Sequence, residues 1–228
     1  MTTGDVPLLQ GLATTRTIRR YTDDAIPDDD LAAILWHATR APSGSNRQPV
    51  RYLVLRDGPQ AMQARQLLGA SFRAGWQAKR QADGYEQGTG ATADSPKARM
   101  AATMQHYVDH FEEVPVVLLV CMLRHRAPNP TEGGSVYPAC QNLLLAARAF
   151  GYGGALTMWH LAVEEELREL LGIPAEAALS ACITLGRPAG AHGPVRRRPL
   201  RDVVFEDHWG GLTDWAVDPP DARHAQWY

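Results

Sequence analysis

The chain has 228 residues, of which 45% are hydrophobic and 21% charged, and this balance predicts a single globular domain over residues 1–228. Its formal net charge of −2 provides no electrostatic basis for binding nucleic acid or a membrane surface. The longest apolar run, 114–123, is too short to cross a bilayer, and the N-terminus lacks the pattern of a secretion signal. We therefore expect a cytoplasmic protein.

The first strong helical pattern is AIPDDDLAAILWHATRA (25–41). Pro27 suits the first position of a helix, the acidic residues after it favour the positive end of the helix dipole, and Pro42 ends the pattern. The run RYLVLR (51–56) then predicts a strand, and the spacing of large apolar residues predicts a helix over 60–82.

Residues 83–97 have no periodicity and are rich in Gly, Thr, Ala and Asp, which predicts a mobile excursion or lid. Ser95 offers an N-cap and Pro96 a first helical residue for the helix that follows. The remaining segments alternate in type: a strand at 114–123, a loop at 124–134, a helix in 135–151, a strand at 153–159, a helix at 163–172 and a strand at 178–186. The pattern therefore predicts one α/β-type domain with about four core strands.

Residues 187–228 differ from the rest of the chain. They contain three of the six tryptophans but too few aliphatic residues to build a core of their own. We expect this C-terminal extension to pack over the domain or over a partner subunit, and we favour a homodimer.

Two arginine clusters lie near the two ends of the chain: Arg16, Arg19 and Arg20 in RTIRRY, and 196–198 in VRRRPL. A single surface arginine is usually only a solvated charge. Arginine nevertheless recognises phosphate through a planar, permanently charged group with several donors. The two clusters could therefore meet around one phosphate.

Other chemical patterns are weak. The GYGG run at 151–154 lies between a helix and a strand, whereas a dinucleotide fingerprint follows a strand and opens a helix. His106 and His110 are four residues apart, but no zincin glutamate or third ligand accompanies them, so we expect no metal site. The serines at 43 and 45 are not in a nucleophile elbow.

Four stretches resemble the nitroreductase family of FMN-dependent oxidoreductases. They are TRTIRRY, ATRAPSGSNRQPVRYLVL, YPACQNLLLAARAFGYGGALTMWHL with LRELLGIP after it, and LGRPAG…RRRPLRDVV. The second and third are the most specific. The resemblance implies an α+β fold of three layers, in which a central mixed sheet is flanked by helices, and an intertwined homodimer with FMN at its interface.

The resemblance also assigns cofactor residues. The FMN phosphate and ribityl chain would contact Arg16, Thr17, Arg19 and Arg197. The flavin would accept or donate hydrogen bonds at the turn 42–48, which the other subunit would supply, and its ring would lie near the end of the third strand. The residues implied there are Pro42, Ser43, Asn46, Gln48, Met158, Trp159 and His160. Thr15 departs from the family pattern, which has Arg at this position, and either Arg20 or Arg196 could replace the missing phosphate contact.

The implied activity is an NAD(P)H-dependent reduction of nitroaromatic or quinone-type acceptors in two half-reactions, with the chemistry carried by FMN and no catalytic side chain. Two alternatives stay open: another reaction on the same fold (dehalogenation, enoyl reduction or flavin ring cleavage) and a non-catalytic flavin-binding role. Phe72, Trp76 and Tyr85 are candidate walls of the substrate pocket. Packing in the core is an equal alternative for Phe72 and Trp76.

Overall fold

The order of helices and strands follows the sequence pattern. A computed structural model describes residues 6–224. The helices are α1 (Leu8–Thr14), α2 (Asp28–Ala38), α3 (Pro59–Ala82), α4 (Pro96–Asp109), α5 (Tyr137–Ala149) and α6 (Glu164–Leu171), and the strands are β1 (Val50–Leu55), β2 (Val116–Leu123), β3 (Gly153–Thr157) and β4 (Ala177–Gly186). Short 3₁₀ turns join several of these elements.

Strand β2 lies in the middle layer and is buried on both faces. Its alternate residues, such as Val117 and Leu119, join the hydrophobic cluster formed with α3, α4 and α6. The residues between them, such as Leu118 and Val120, join the cluster formed with α2 and α5. Because successive strand side chains point to opposite faces, an unbroken apolar run is what a sheet between two helical layers requires. The predicted three-layer arrangement is confirmed.

The sheet differs from the expected mixed type. Its strand order is β1-β2-β4-β3, and all three neighbouring pairs are antiparallel. The described residues of one chain therefore form an antiparallel sheet. Strand direction depends on which distant strands become neighbours, and the hydrophobic pattern of each strand carries no information on that choice.

The residues predicted to begin or end helices lie within a residue or two of the observed helix ends. The Ser95 hydroxyl oxygen caps α4 by accepting a hydrogen bond of 3.0 Å from the Ala98 N–H. Pro27 precedes the first helical residue of α2 and is not itself helical. Gly172 ends α6 at a φ of 65°, in the left-handed region that glycine adopts without a Cβ clash.

The C-terminal segment runs back along the N-terminal one. Backbone hydrogen bonds join Thr22 N to Arg187 O at 2.9 Å, Ala189 N to Arg20 O at 3.0 Å and Val195 N to Ala13 O at 3.1 Å. Further along, the side chain of Trp209 is 91% exposed and that of Trp215 66% exposed. The third tryptophan of the extension, Trp227, lies outside the described residues.

Helix α1 was not predicted. It has no side-chain cap, and its large apolar residues face solvent in this chain, with Leu8 70% and Leu9 77% exposed. The helix has only seven residues and buries only Gly11, so its sequence provides too short a pattern to identify it.

Candidate functional site

The turn between α2 and β1 holds an unusual backbone conformation. Ser45, Asn46 and Gln48 have φ values of 51°, 51° and 50°, in the left-handed region that residues with a Cβ rarely adopt. Such conformations cost on the order of 1–3 kcal/mol each and persist only where the surroundings hold them. Strain of this kind concentrates at binding sites, and here it falls on two of the predicted cofactor residues.

Side-chain hydrogen bonds help to hold this turn in place. The Gln48 N–H donates to the Ser43 hydroxyl oxygen at 2.9 Å, and the Gly44 N–H donates to the Ser135 hydroxyl oxygen at 3.1 Å. The Gln48 side-chain amide donates to the Asn46 side-chain oxygen at 3.3 Å. Ser43 is half-buried, while Asn46 and Gln48 are exposed. The side-chain amides of Asn46 and Gln48 are therefore exposed on a backbone that hydrogen bonds with Ser43 and Ser135 hold in position.

A cavity of about 150 Å³ adjoins the turn, and Ser43, Gln48, Arg51 and Tyr52 are among its lining residues. The Tyr52 hydroxyl is buried without a hydrogen-bond partner among the described residues. Burial raises the pKa of Tyr52 to about 12. An unpartnered buried hydroxyl beside exposed amides indicates that this surface is completed by another polar group.

The N-terminal arginine segment is anchored against β3. The Ile18 N–H donates to Gly154 O at 2.9 Å, and the Ile18 side chain packs so closely on Gly153 that a Cβ there would lie 2.5 Å from it. Arg19 lies near Tyr107, Tyr21 and Tyr85, and burial lowers its pKa. None of residues 6–224 forms a hydrogen bond or ion pair with the Arg19 side chain. A partly buried guanidinium without a partner favours an acceptor or anion nearby.

A hydroxyl network that the sequence did not indicate lies beneath Arg19. The Thr184 hydroxyl forms hydrogen bonds of 2.8 Å with the Tyr21 hydroxyl and 2.9 Å with the Tyr107 hydroxyl. The Tyr21 hydroxyl also donates to Ile18 O at 2.6 Å. Because these residues come from three separated parts of the chain, no sequence spacing could reveal the network.

The structure brings the two arginine clusters into the same region. The hydrogen bond from Val195 N to Ala13 O places the segment 195–198 beside the segment 13–16. His192 lies near Arg148 and Arg16. Burial lowers the pKa of His192, and the charges of these two arginines lower it further. The Thr15 hydroxyl oxygen, the Arg148 Nε and the His192 Nδ1 are buried without partners in the described region. Sequence analysis missed Arg148 and His192 because each stands alone in its own segment.

The residues predicted at the end of β3 have different environments. Met158 and Trp159 are half-buried, and the Trp159 ring packs edge-on against Phe72 at 5.2 Å between ring centroids. His160 is fully buried, and its Nε2 lies 3.3 Å from Leu179 O. Burial lowers the pKa of His160. The structure thus places His160 in the interior, where its ring contacts a backbone carbonyl and has no accessible surface.

The three candidate residues of the substrate pocket also differ in burial. Phe72 and Trp76 are 0% and 1% exposed and belong to the core between α3, α4 and the sheet. Their spacing of four reflects core packing, the alternative considered from the sequence, because a fully buried ring offers no face to a ligand. Tyr85 is half-buried, packs edge-on against Trp76 at 5.1 Å and lies near Arg19.

Comparison with known proteins decides the family. Residues 12–187 match the nitroreductase family, which is more than half of the chain. The chain belongs to the nitroreductase family.

Relatives within this family carry different descriptions. An NADH dehydrogenase of Thermus thermophilus is 29% identical over 206 residues, covering 83% of this chain and 91% of that protein. An iodotyrosine deiodinase of Thermotoga neapolitana is 28% identical over 189 residues, with coverage of 83% and 91%. The chain also resembles a Desulfovibrio desulfuricans protein, described as a nitroreductase and crystallised with FMN, with a TM-score of 0.63, 28% identity and coverage of 89% and 97%.

The nitroreductase match ends at residue 187, just after β4, so the C-terminal segment with Arg197 lies beyond it. Within residues 6–224, no cluster of His, Cys, Asp and Glu side chains is arranged to hold a metal ion. None of the helices in that range combines the length and the apolar character that a membrane span requires.

Proposed function

We propose that this protein is an FMN-dependent oxidoreductase that accepts a hydride from NAD(P)H and reduces a nitroaromatic or quinone-type acceptor in a second half-reaction. The observation that carries the proposal is the strained turn, whose side-chain amides are held outward at a cost in backbone energy. Membership of the nitroreductase family and the FMN complex of a relative support the choice of cofactor.

The donor set fits a flavin nucleotide. FMN combines a dianionic phosphate, a hydroxylated chain and a ring whose polar edge needs hydrogen bonds. The chain provides exposed amides at Asn46 and Gln48, and the buried hydroxyls of Thr15 and Tyr52 have no partner among residues 6–224. Arg19 adds a partly buried cation beside Tyr21 and Tyr107. The buried unpartnered atoms and the partly buried cation are costly in the protein alone, and a polar, anionic ligand relieves that cost.

When bound, FMN supplies the hydride and electron transfer itself. The protein's task is then to hold the ring and to stabilise the negative charge that collects on its polar edge during reduction. Asn46 and Gln48 suit this task because they are uncharged donors. Ser43 fixes the turn through its hydrogen bond with Gln48 N, and the Pro42 backbone lies beside it.

The phosphate end is assigned to Arg16, Thr17, Arg19 and Arg197. The pairing of Val195 with Ala13 supports this assignment, because it brings the second cluster beside the first. Thr15 stands where the family has Arg, and its buried, unpartnered hydroxyl is suited to donate to a phosphate oxygen.

The ring is assigned to the end of β3, beside Met158 and Trp159. Trp159 is fixed by its contact with Phe72 and by the Ser71 hydroxyl, which donates to Trp159 O at 2.8 Å. His160 has a structural role: its ring is buried, and its contact with Leu179 O helps to fix the backbone at 158–160. We assign no catalytic proton transfer to it.

The functional unit in this proposal is a homodimer in which each subunit supplies the turn 42–48 to its partner's cofactor. The exposed apolar side chains of the C-terminal extension support it, because Trp209, Leu212, Trp215 and Val217 are each at least 66% exposed in the single chain. Such a group is characteristic of an interface. The single-domain boundary 1–228 and the mobility of 83–97 belong to the same proposal.

Reductive dehalogenation is the second candidate. The observation that favours it is the Thermotoga neapolitana deiodinase, which matches this chain over most of the length of both proteins. Both candidates need the same cofactor, and they differ in the acceptor.

The deciding experiment begins with the visible spectrum of the purified protein and chromatographic identification of any released flavin. Anaerobic titration with NADH and NADPH should bleach the flavin absorbance, and re-oxidation is then compared for a nitroaromatic, a quinone and an iodotyrosine. Protein that neither retains nor rebinds FMN refutes the proposal. Retained FMN that is never bleached by NAD(P)H assigns a non-catalytic role, and re-oxidation by iodotyrosine alone selects the second candidate.

A further inference from the structure

A separate cavity of about 140 Å³ lies between the turn 43–48 and the loop after β2. A single water molecule needs roughly 10–15 Å³ on the same measure, so this cavity has room for a group of several heavy atoms. Its polar lining includes Ser45, Arg47, Arg124, Arg126, Asn129, Glu132 and Ser135. We call it the Arg47–Arg126 cavity.

The charges in this cavity do not balance. Arg124 is neutralised by Glu132, with Nη2 to Oε1 at 2.6 Å and Nε to Oε2 at 3.1 Å. The hydrogen bond from Arg124 holds the pKa of Glu132 below its usual value, and the charge of Arg126 contributes to the shift. Arg47 and Arg126 are exposed, and the guanidinium group of neither forms a hydrogen bond or ion pair with any residue from 6 to 224. The cavity therefore carries an excess of positive charge.

Neutral donors complete the lining. The Asn129 side-chain oxygen accepts hydrogen bonds from Thr131 N at 3.1 Å and from the Thr131 hydroxyl at 2.5 Å, which leaves the Asn129 NH₂ group available. The Ser135 hydroxyl oxygen accepts from the Gly44 N–H at 3.1 Å, so its own O–H remains able to donate. Two guanidinium groups, an amide and a hydroxyl in one concavity form a donor set that matches a phosphate group.

The cavity is continuous with the turn assigned to the flavin. Gly44 and Ser45 line it, and Ser45 is adjacent to Asn46, with Cα atoms about 3.8 Å apart. The bond from Gly44 to Ser135 joins the turn directly to the loop that carries the cavity's other residues. A molecule held here is therefore anchored next to the amides that would contact the flavin.

We infer that the Arg47–Arg126 cavity binds a phosphate group of the nicotinamide dinucleotide that donates the hydride. The inference rests on the proposed function, because it assumes that NAD(P)H reduces the flavin. The nicotinamide must reach the flavin, but residues 6–224 form an antiparallel sheet and contain no parallel strand–helix–strand unit with a glycine-rich turn to hold the donor's phosphates. A cationic cavity on the flavin-binding turn meets that need.

The test uses the FMN-loaded protein and three single substitutions. Arg126→Ala and Arg47→Ala remove exposed cations, so neither disturbs the core. Asn129→Asp keeps the oxygen that accepts from Thr131 and adds a negative charge inside the cavity. Arg99→Ala is the control: it removes an exposed arginine of α4 that donates to Asp94 O and does not line the cavity.

Each variant is compared in the KM for NADH and for NADPH, and in its rate with reduced nicotinamide riboside, which has no phosphate. We expect each cavity substitution to raise the KM for the dinucleotide about fivefold to tenfold, the size expected for one charge-assisted contact. The effect should shrink at high salt. The riboside rate and the Arg99→Ala values should match those of the unmodified protein.

The two donors identify which phosphate is bound. Equal losses with NADH and NADPH assign the diphosphate, and a loss with NADPH alone assigns the 2′-phosphate. Unchanged KM values for both donors overturn the inference, and so does an equal loss with the riboside, because that loss cannot come from a phosphate contact.

A separate measurement tests the cavity if NAD(P)H does not reduce the flavin, that is, if the proposed function fails. If no donor bleaches the flavin, binding of 5′-ADP and 2′,5′-ADP is measured by calorimetry on the same variants. Binding that Arg126→Ala and Asn129→Asp weaken supports the cavity as a nucleotide phosphate site. No detectable binding to the unmodified protein overturns the inference.

Discussion

Replacing Gln48 separates backbone strain from cofactor binding at the turn. Gln48 has a φ of 50° and donates its backbone N–H to the Ser43 hydroxyl oxygen at 2.9 Å. Gln48→Gly and Gln48→Ala both delete the side-chain amide and keep the backbone donor. Only the glycine variant relieves the steric cost of the left-handed conformation.

The left-handed backbone at Gln48 determines the expected difference in the free energy of unfolding between the two variants. The left-handed conformation costs a residue with a Cβ about 1–2 kcal/mol, and the greater freedom of glycine in the unfolded chain offsets roughly 0.5–1 kcal/mol of that gain. The free energy of unfolding of Gln48→Gly should therefore exceed that of Gln48→Ala by about 0.5–1 kcal/mol. The lost contact between the Gln48 and Asn46 side chains, 3.3 Å long and exposed, is common to both variants and cancels in this comparison.

FMN affinity should fall equally in both variants. Both variants lose one side-chain donor to the flavin, worth about 1 kcal/mol, so the Kd should rise about fivefold in each. The assays are urea unfolding of the flavin-free protein and FMN titration followed by quenching of flavin fluorescence. Equal stabilities of the two variants would refute the strain argument, and an unchanged Kd in both would refute the binding role of Gln48.

The remaining predictions concern the phosphate end, the core and the response to pH. Arg197→Ala should raise the Kd for FMN about tenfold with little change in thermal stability, whereas Arg201→Ala, whose side chain is 78% exposed, should change neither; equal FMN titration curves for the two would reject the phosphate role. Trp76→Ala should lower the free energy of unfolding by about 3–5 kcal/mol because the ring is 1% exposed, and a loss below 1 kcal/mol in urea unfolding would contradict its place in the core. Because burial lowers the pKa of His160 from its ordinary value of 6.5, the unfolded chain binds the proton more readily, so stability should decline as the pH falls below about 6.5. His160→Gln should flatten that decline between pH 7 and pH 5, and parallel curves for the two proteins would exclude His160 as its source.

The sequence predicted most of the fold because local signals agreed with one another. The unbroken apolar run of β2 indicated a strand covered on both faces, and the structure confirms this. Ser95 and Gly172 marked helix ends through backbone chemistry that acts over four residues. The resemblance to a family supplied the three-layer arrangement, which periodicity alone does not contain.

The expectations that differed from the structure all depended on distant contacts. The sheet is antiparallel within the described chain, because direction follows from which strands become neighbours. Phe72 and Trp76 were candidates for the pocket wall or, equally, for the core, and α4 and the sheet cover them. His160 follows a strand as a ligand residue would, yet β4 provides its carbonyl partner.

The sequence by itself determined the elements from α2 onward, their order and the polar content of the turn 42–48, because these depend on residues close together in the chain. Only the tertiary structure decided that Ser45, Asn46 and Gln48 are strained, since Ser135, 91 residues away from Gly44, helps to hold them. It also decided that the arginine clusters share one region, through the hydrogen bond between Val195 and Ala13. A binding site of this kind is assembled by packing, so its residue types are visible in the sequence and its geometry is not.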